Sequence, residues 1–198
     1  GHKVKIFDRM SEIGGQFNFA KQIPGKEEFF ETLRYFNKQI ELLNISVELN
    51  VDQSAEQLAL QGFDEVVLAT GIKPRALAIK GIDNPIVKSY LQVLRDKEVI
   101  GRKVAIIGAG GIGFDVATFL CEEKSLTVDA EAWLKDWGVD KTFQHDAALS
   151  KEFIKHPPIR EVALLQRKTT KVGAGLGKTT GWIHRATLAK HGVKMIKG

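Results

Sequence analysis

The sequence predicts an α/β protein built from two Rossmann-like, doubly wound units, both incomplete. Three observations carry that prediction. Strand-like apolar runs, glycine-bearing loops and helical patterns succeed one another twice along the chain. The second loop, Gly108-Ala109-Gly110-Gly111-Ile112-Gly113, has G-x-G-x-x-G spacing between a predicted strand and a predicted helix. The length, 198 residues with 43% hydrophobic and 27% charged side chains, suits two small globular domains.

In the first unit, Val4 and Ile6 alternate with Lys3 and Lys5, and Phe7-Asp8 closes a short strand. A loop with paired glycines, Gly14-Gly15-Gln16, follows, and Pro24-Gly25 signals a turn. Phe29, Leu33, Phe36, Ile40 and Leu43 recur at helical spacing, which predicts an amphipathic helix with one buried face ending at Asn44. Ser46 to Asn50 alternates as a strand, and Phe63 to Gly71 reads as a buried strand closing on glycine. The stretch 72–102, with Pro74, Gly81, Pro85 and Gly101, reads as a crossing between units, with a short helix around Tyr90 to Leu94. The expected boundaries are 1–75 for the first unit, 76–101 for the crossing and 102–198 for the second unit, which carries an insertion at about 122–160.

The second unit opens on Val104-Ala105-Ile106-Ile107, a continuous apolar run expected of a parallel strand buried on both faces. Gly108 then allows a tight turn, Gly110 lets backbone approach a pyrophosphate, and Gly113 lets helix and strand pack closely. The helix from Phe114 to Cys121 presents its N-terminal N–H groups to that phosphate. A structural glycine turn is the plainer reading of the same residues. The strand Val162 to Leu165 ends in Gln166-Arg167-Lys168. Units that bind NAD place an acid there for the ribose hydroxyls, whereas two cations suit a 2′-phosphate. These features predict NADPH. The alternative is a pair of solvated cations. About 50 residues separate Gly113 from Arg167, against roughly 20 in the usual unit, hence the insertion.

Other features limit the function. Lys and Arg number 29 against 24 acids, a net charge of +5 without one long basic patch interleaved with aromatics, so nucleic acid is not an expected partner. No apolar run is long enough to span a bilayer, no secretory leader is visible, and the lone Cys121 excludes an internal disulfide framework or a four-thiolate cluster. Together these predict a cytoplasmic protein with no membrane partner. The histidines His2, His145, His156, His184 and His191 show no metal spacing. Gly173 to Thr179 approaches a P-loop, but Val172 stands where its first glycine must be, so an ATPase is rejected and a mobile loop beside the nucleotide is expected. Asp8, ending a strand, is positioned to accept from an adenosine ribose.

The segments Asp8 with Ile13 to Phe17, Phe19 to Lys26, Phe63 to Gly71, Val104 to Gly113 and Gly175 to Arg185 together resemble the C-terminal part of the bacterial NADPH-dependent 2,4-dienoyl-CoA reductases, over essentially the whole chain. The resemblance implies the two-dinucleotide-binding-domain flavoprotein type. It implies FAD and NADPH in this region, with FMN, a 4Fe-4S cluster and the site for a small-molecule dienoyl-CoA elsewhere in the parent. NADPH reduces FAD, the cluster relays electrons to FMN, and FMN reduces the unsaturated acyl-CoA. By position, Asp8, Gln16 and Lys26 would contact FAD, and Gln53 would fall near its adenine, at a position that is usually apolar in that family. Gly108, Gly110, Gly113, Arg167 and Lys168 would hold NADPH. No catalytic acid or base is expected here. The first strand and glycine loop of the FAD unit would precede Gly1, so the chain alone is expected not to bind FAD. Two rival readings are another old-yellow-enzyme-like flavin reductase and a module that holds an adenine nucleotide structurally.

Overall fold

The computed structural model describes residues 1–75, 77–150 and 157–198. Ala76, the expected start of the crossing segment, and 151–156, part of the expected insertion, lie outside the described residues. The chain is α/β with parallel sheets, in keeping with the Rossmann-like prediction. It divides into two compact units: Gly1–Lys21 with Glu28–Val87, and Gln22–Glu27 with Lys88–Gly198. The turn around Pro24 and Gly25, read in sequence as part of the first unit, therefore belongs to the second.

In the first unit, β1 (Lys5–Asp8) pairs in parallel with β2 (Ser46–Leu49), Ile6 opposite Val47. The crossover runs through α1 (Phe17–Ala20) and α2 (Glu28–Leu42). Only Leu33 of α2 is buried, and Phe36 stays 53% exposed. The predicted apolar face is thus only half covered. Asn44 takes a left-handed conformation (φ 50°), and Ile45 N–H donates back to Ile40 O at 3.0 Å, which ends the helix as expected. A short α3 (Ala55–Ala59) starts on a Ser54–Gln57 capping box.

One expectation fails here. Phe63 to Gly71 forms no strand, and Val67 and Leu68 are 86% and 80% exposed. An isolated extended segment has no ladder partner for its N–H and C=O groups. Among the described residues β1 and β2 pair only with each other, so the apolar run has nothing to join.

In the second unit, α4 (Tyr90–Leu94) buries Val93 and Leu94. The sheet has the order β3 (Lys103–Ile107), β4 (Glu161–Gln166), β5 (Lys194–Lys197), all parallel. Helix α5 (Gly111–Cys121) is the core: Phe114, Ala117, Leu120 and Cys121 are at most 2% exposed, as are Leu164 of β4 and Leu188 of α7 (Gly181–Lys190). Between α5 and β4, α6 (Ala130–Asp136) carries Trp133 and is capped at its end by Trp137, the rings 6.0 Å apart. The expectation that β3 is buried on both faces is also corrected. It lies at a sheet edge with Ile107 63% exposed, because α5 packs on one face and no described strand flanks its outer side.

Candidate functional site

The turn between β3 and α5 shows why glycines stand at two of the motif positions, Gly108 and Gly113. Gly108 has φ +114°, a conformation that L side chains rarely adopt. A Cβ on Gly113 would lie 1.9 Å from Gly108 O, so helix and turn touch there backbone to backbone. Gly110 is different. Its φ is −86° and an added Cβ would meet no atom within 4 Å. Neither strain nor packing within the protein demands glycine at that point. What its absence of side chain leaves is open space at the N-terminus of α5, where no side chain caps the helix. That arrangement fits a pyrophosphate, whose charge the helix end favours.

Gly108 N–H donates to Leu165 O at 2.9 Å. The glycine turn and the end of β4 are thus bonded together, and Arg167 and Lys168 follow immediately at the carboxyl ends of adjacent parallel strands. Both cations are exposed, and among the described residues neither takes part in an ion pair. The loop 172–180, expected to be mobile, is pinned at both ends. Val172 and Gly173 are buried, and a Cβ on Gly173 would strike the Phe114 ring at 2.7 Å. Arg185 donates to Gly173 O at 3.1 Å, and Gly181 N–H to Gly177 O at 2.7 Å.

Lys26 does not stand free in solvent. Its ammonium lies 2.7 Å from both carboxylate oxygens of Asp115 on α5. The turn around it is clasped by the segment after α5: Gly25 N–H donates to Ser125 Oγ at 3.0 Å and Thr127 Oγ1 to Glu27 at 2.9 Å. Burial pushes the Glu27 carboxyl up, but the Ser125 and Thr127 hydroxyls and nearby N–H groups outweigh it and hold the carboxyl below its ordinary range. Asp115 was not singled out in the sequence. A signal was present: it is the only charged residue between Lys103 and Glu122.

In the first unit, Asp8 Oδ1 accepts from Met10 N–H at 2.9 Å, which fixes the carboxylate at the end of β1. Val51 N–H donates to Asp8 O at 3.1 Å, so the segment leading to Gln53 runs beside Asp8. Gln53 is half-buried and accepts from Gln61 Nε2 at 3.1 Å. Gln16 is exposed at the start of α1 without making a side-chain cap. Gly14 (φ +123°) is packed against Leu33 and Asn18. The structure therefore brings Asp8 and the 51–53 segment together, gathers the glycine turn with Arg167 and Lys168, and puts Lys26 with the second unit.

A cleft of about 480 Å³ opens in the second unit beside Lys26, Asp115, Cys121, Trp133 and Trp137. Two pairs of charges in its wall are joined to each other, Lys190 with Asp136 at 2.5 Å and His191 with Glu122 at 3.3 Å. Burial, then the Glu122 charge, push the Cys121 thiol up to about 11 against the opposing pull of Arg160, so it is no nucleophile at neutral pH. Among the described residues no group of three or more His, Cys, Asp or Glu is placed to hold a metal, and no helix is long and apolar enough to cross a membrane. His156 lies outside the described residues.

The chain is 34% identical over 134 residues to the cinnamate reductase of Clostridium sporogenes, covering 65% of this chain and 19% of that protein. It is 31% identical over 122 residues to the bilirubin reductase of Mediterraneibacter gnavus, covering 62% and 19%. A solved 2-naphthoyl-CoA reductase in complex with 2-naphthoyl-CoA superposes with a TM-score of 0.74 at 26% identity, over 100% of this chain and 24% of that one. The chain thus spans about a fifth of the curated relatives it matches. The family model of the pyridine nucleotide-disulphide oxidoreductases matches residues 1–198, and the chain belongs to that family.

Proposed function

We propose that this chain is the NADPH-binding part, with part of the FAD site, of a flavin-dependent 2,4-dienoyl-CoA reductase, with NADPH held by the second unit. The observation that carries the reading is the Gly108–Leu165 hydrogen bond. It joins the opening at Gly110 to a strand end bearing two cations, unpaired among the described residues, instead of an acid. In this reading the α5 N-terminus and the Gly108–Gly113 turn hold the pyrophosphate, and Arg167 and Lys168 hold the 2′-phosphate. Asp8 accepts from the FAD ribose, and Gln16 and the 51–53 segment that includes Gln53 line the flavin nucleotide. Residues 1–75 then serve FAD and 102–198 serve NADPH, with the Lys26 turn docked on α5. When bound, the two cofactors supply hydride transfer from nicotinamide to flavin. The protein's part is positioning, and the Lys26–Asp115 pair keeps one cation at a fixed place on α5 without exposing it as a free charge. FMN, the 4Fe-4S cluster and the acyl-CoA site belong, in this reading, to the parent outside these residues.

Calorimetric titration of the chain with 2′,5′-ADP and 5′-AMP tests the cofactor assignment. The 2′-phosphate is expected to tighten binding by roughly 10- to 100-fold, the worth of charge-assisted contacts. Arg167→Ala with Lys168→Ala should erase that margin. Equal binding of the two nucleotides by the unaltered chain would overturn it. A second reading is another flavin reductase of the same architecture acting on a conjugated acid or ketone. It is favoured by the relatives named for cinnamate and bilirubin. Turnover of cinnamate rather than a 2,4-dienoyl-CoA by the full-length parent would select it.

A further inference from the structure

We infer that Gln166 is a positioning residue that sets the turn presenting Arg167 and Lys168, and through it the preference for a 2′-phosphorylated nucleotide. The inference rests on the NADPH reading above. Gln166 is the last residue of β4, and its backbone is fixed in the sheet: its carbonyl accepts from Gly198 N–H at 2.8 Å, beyond the last ladder pair Gln166–Lys197. The chain then leaves the sheet and bends from Arg167 to Thr170. Among the described residues no backbone–backbone hydrogen bond closes that bend. The Gln166 side chain does so instead. Its Nε2 donates to Lys168 O at 3.0 Å and to Thr170 O at 2.8 Å, with Thr170 Oγ1 at 3.3 Å.

The consequence follows from geometry. An amide nitrogen has two hydrogens, and here two carbonyls two residues apart take them. The peptide between is curled around the Gln166 side chain with its carbonyls turned inward. Arg167 and Lys168 lie on that bend, exposed and, among the described residues, without ion-pair partners. Where an acid ends this strand it accepts from a ribose. Gln166 instead spends its donors on its own turn. Holding two flexible cations on a preformed bend reduces the ordering cost of gripping a phosphate.

The test compares the unaltered chain, Gln166→Met, Gln166→Glu and Arg167→Ala by calorimetry with 2′,5′-ADP and 5′-AMP. Methionine keeps the length without donors, and glutamate faces the two carbonyls with a carboxylate. The ratio of the two affinities is the readout, because a general structural loss would weaken both nucleotides alike. Loss of the turn's hydrogen bonds should lower the ratio by roughly 2- to 10-fold in Gln166→Met, and further in Gln166→Glu, with 5′-AMP affinity within about twofold of the original. If Arg167→Ala removes the preference while both Gln166 variants keep it, the role of Gln166 is refuted and the NADPH reading stands. An equal loss of both nucleotides in the Gln166 variants also refutes it, as a structural effect only. If the unaltered chain shows no preference, both inferences fall together, and that arm alone reveals it.

Discussion

At the residue scale, the glycine turn separates two kinds of glycine. Gly113 is required by the protein itself, since a methyl group there would sit 1.9 Å from Gly108 O. Gly110 is required by nothing among the described residues. The two should respond differently to alanine. Gly113→Ala is expected to destabilise the second unit by about 3 kcal/mol, because backbone on both sides must shift. Gly110→Ala should leave stability nearly unchanged while weakening 5′-AMP binding. Thermal melts read beside calorimetric titrations check this. If Gly110→Ala binds 5′-AMP normally, the opening above α5 is not the phosphate site.

At the scale of elements, the Lys26 turn is held by α5 and by the segment after it. Lys26 and Asp115 are about a quarter to a third exposed, at 30% and 23%. A double-mutant cycle of Lys26→Met and Asp115→Asn should give a coupling of about 1 kcal/mol, the range for a partly exposed pair. A coupling near zero would mean that the turn is held only by Glu27, Ser125 and Thr127. Glu27 adds a pH dependence whose sign is set by its depressed carboxyl. A carboxyl that ionises more readily when folded stabilises above the unfolded carboxylate range, near pH 4, and loses that contribution as pH falls through it. Amides of 24–27 should therefore exchange faster as pH drops below about 4, after correction for intrinsic rates. Glu27→Gln should remove that dependence.

At the scale of the molecule, the two sheets are small, and each leaves apolar residues uncovered. Val67 and Leu68 are the clearest case, at 86% and 80% exposed, beside Val66 and Ile72. A contiguous apolar segment without a ladder partner is an adhesive surface. Replacing Val67 and Leu68 with lysine is expected to reduce dye binding to exposed apolar surface and to slow aggregation. The melting transition should stay within about 0.5 kcal/mol, as for other surface changes. A large fall in stability would instead show that the segment is packed in solution.

Sequence alone determined the fold class, because periodicity, punctuation and the glycine spacing are local properties of the chain. The strands at Lys5 and Lys103, the helix that stops at Asn44, and the distinct tasks of Gly108 and Gly113 could all be read from neighbours. So could the basic strand end at Arg167, once the insertion was allowed for. Gln53 was named only through the family resemblance, and the fold is what sets the 51–53 segment beside Asp8. Contacts between distant residues were not legible. Lys26 meets Asp115 across 89 positions, and the turn that carries it joins the second unit. The apolar run at Phe63 to Gly71 looked like a buried strand because composition reports what a segment would prefer to bury. Whether a hydrogen-bonding neighbour exists is a property of the sheet. The role inferred for Gln166 has the same origin: only the folded turn shows which carbonyls its amide can reach.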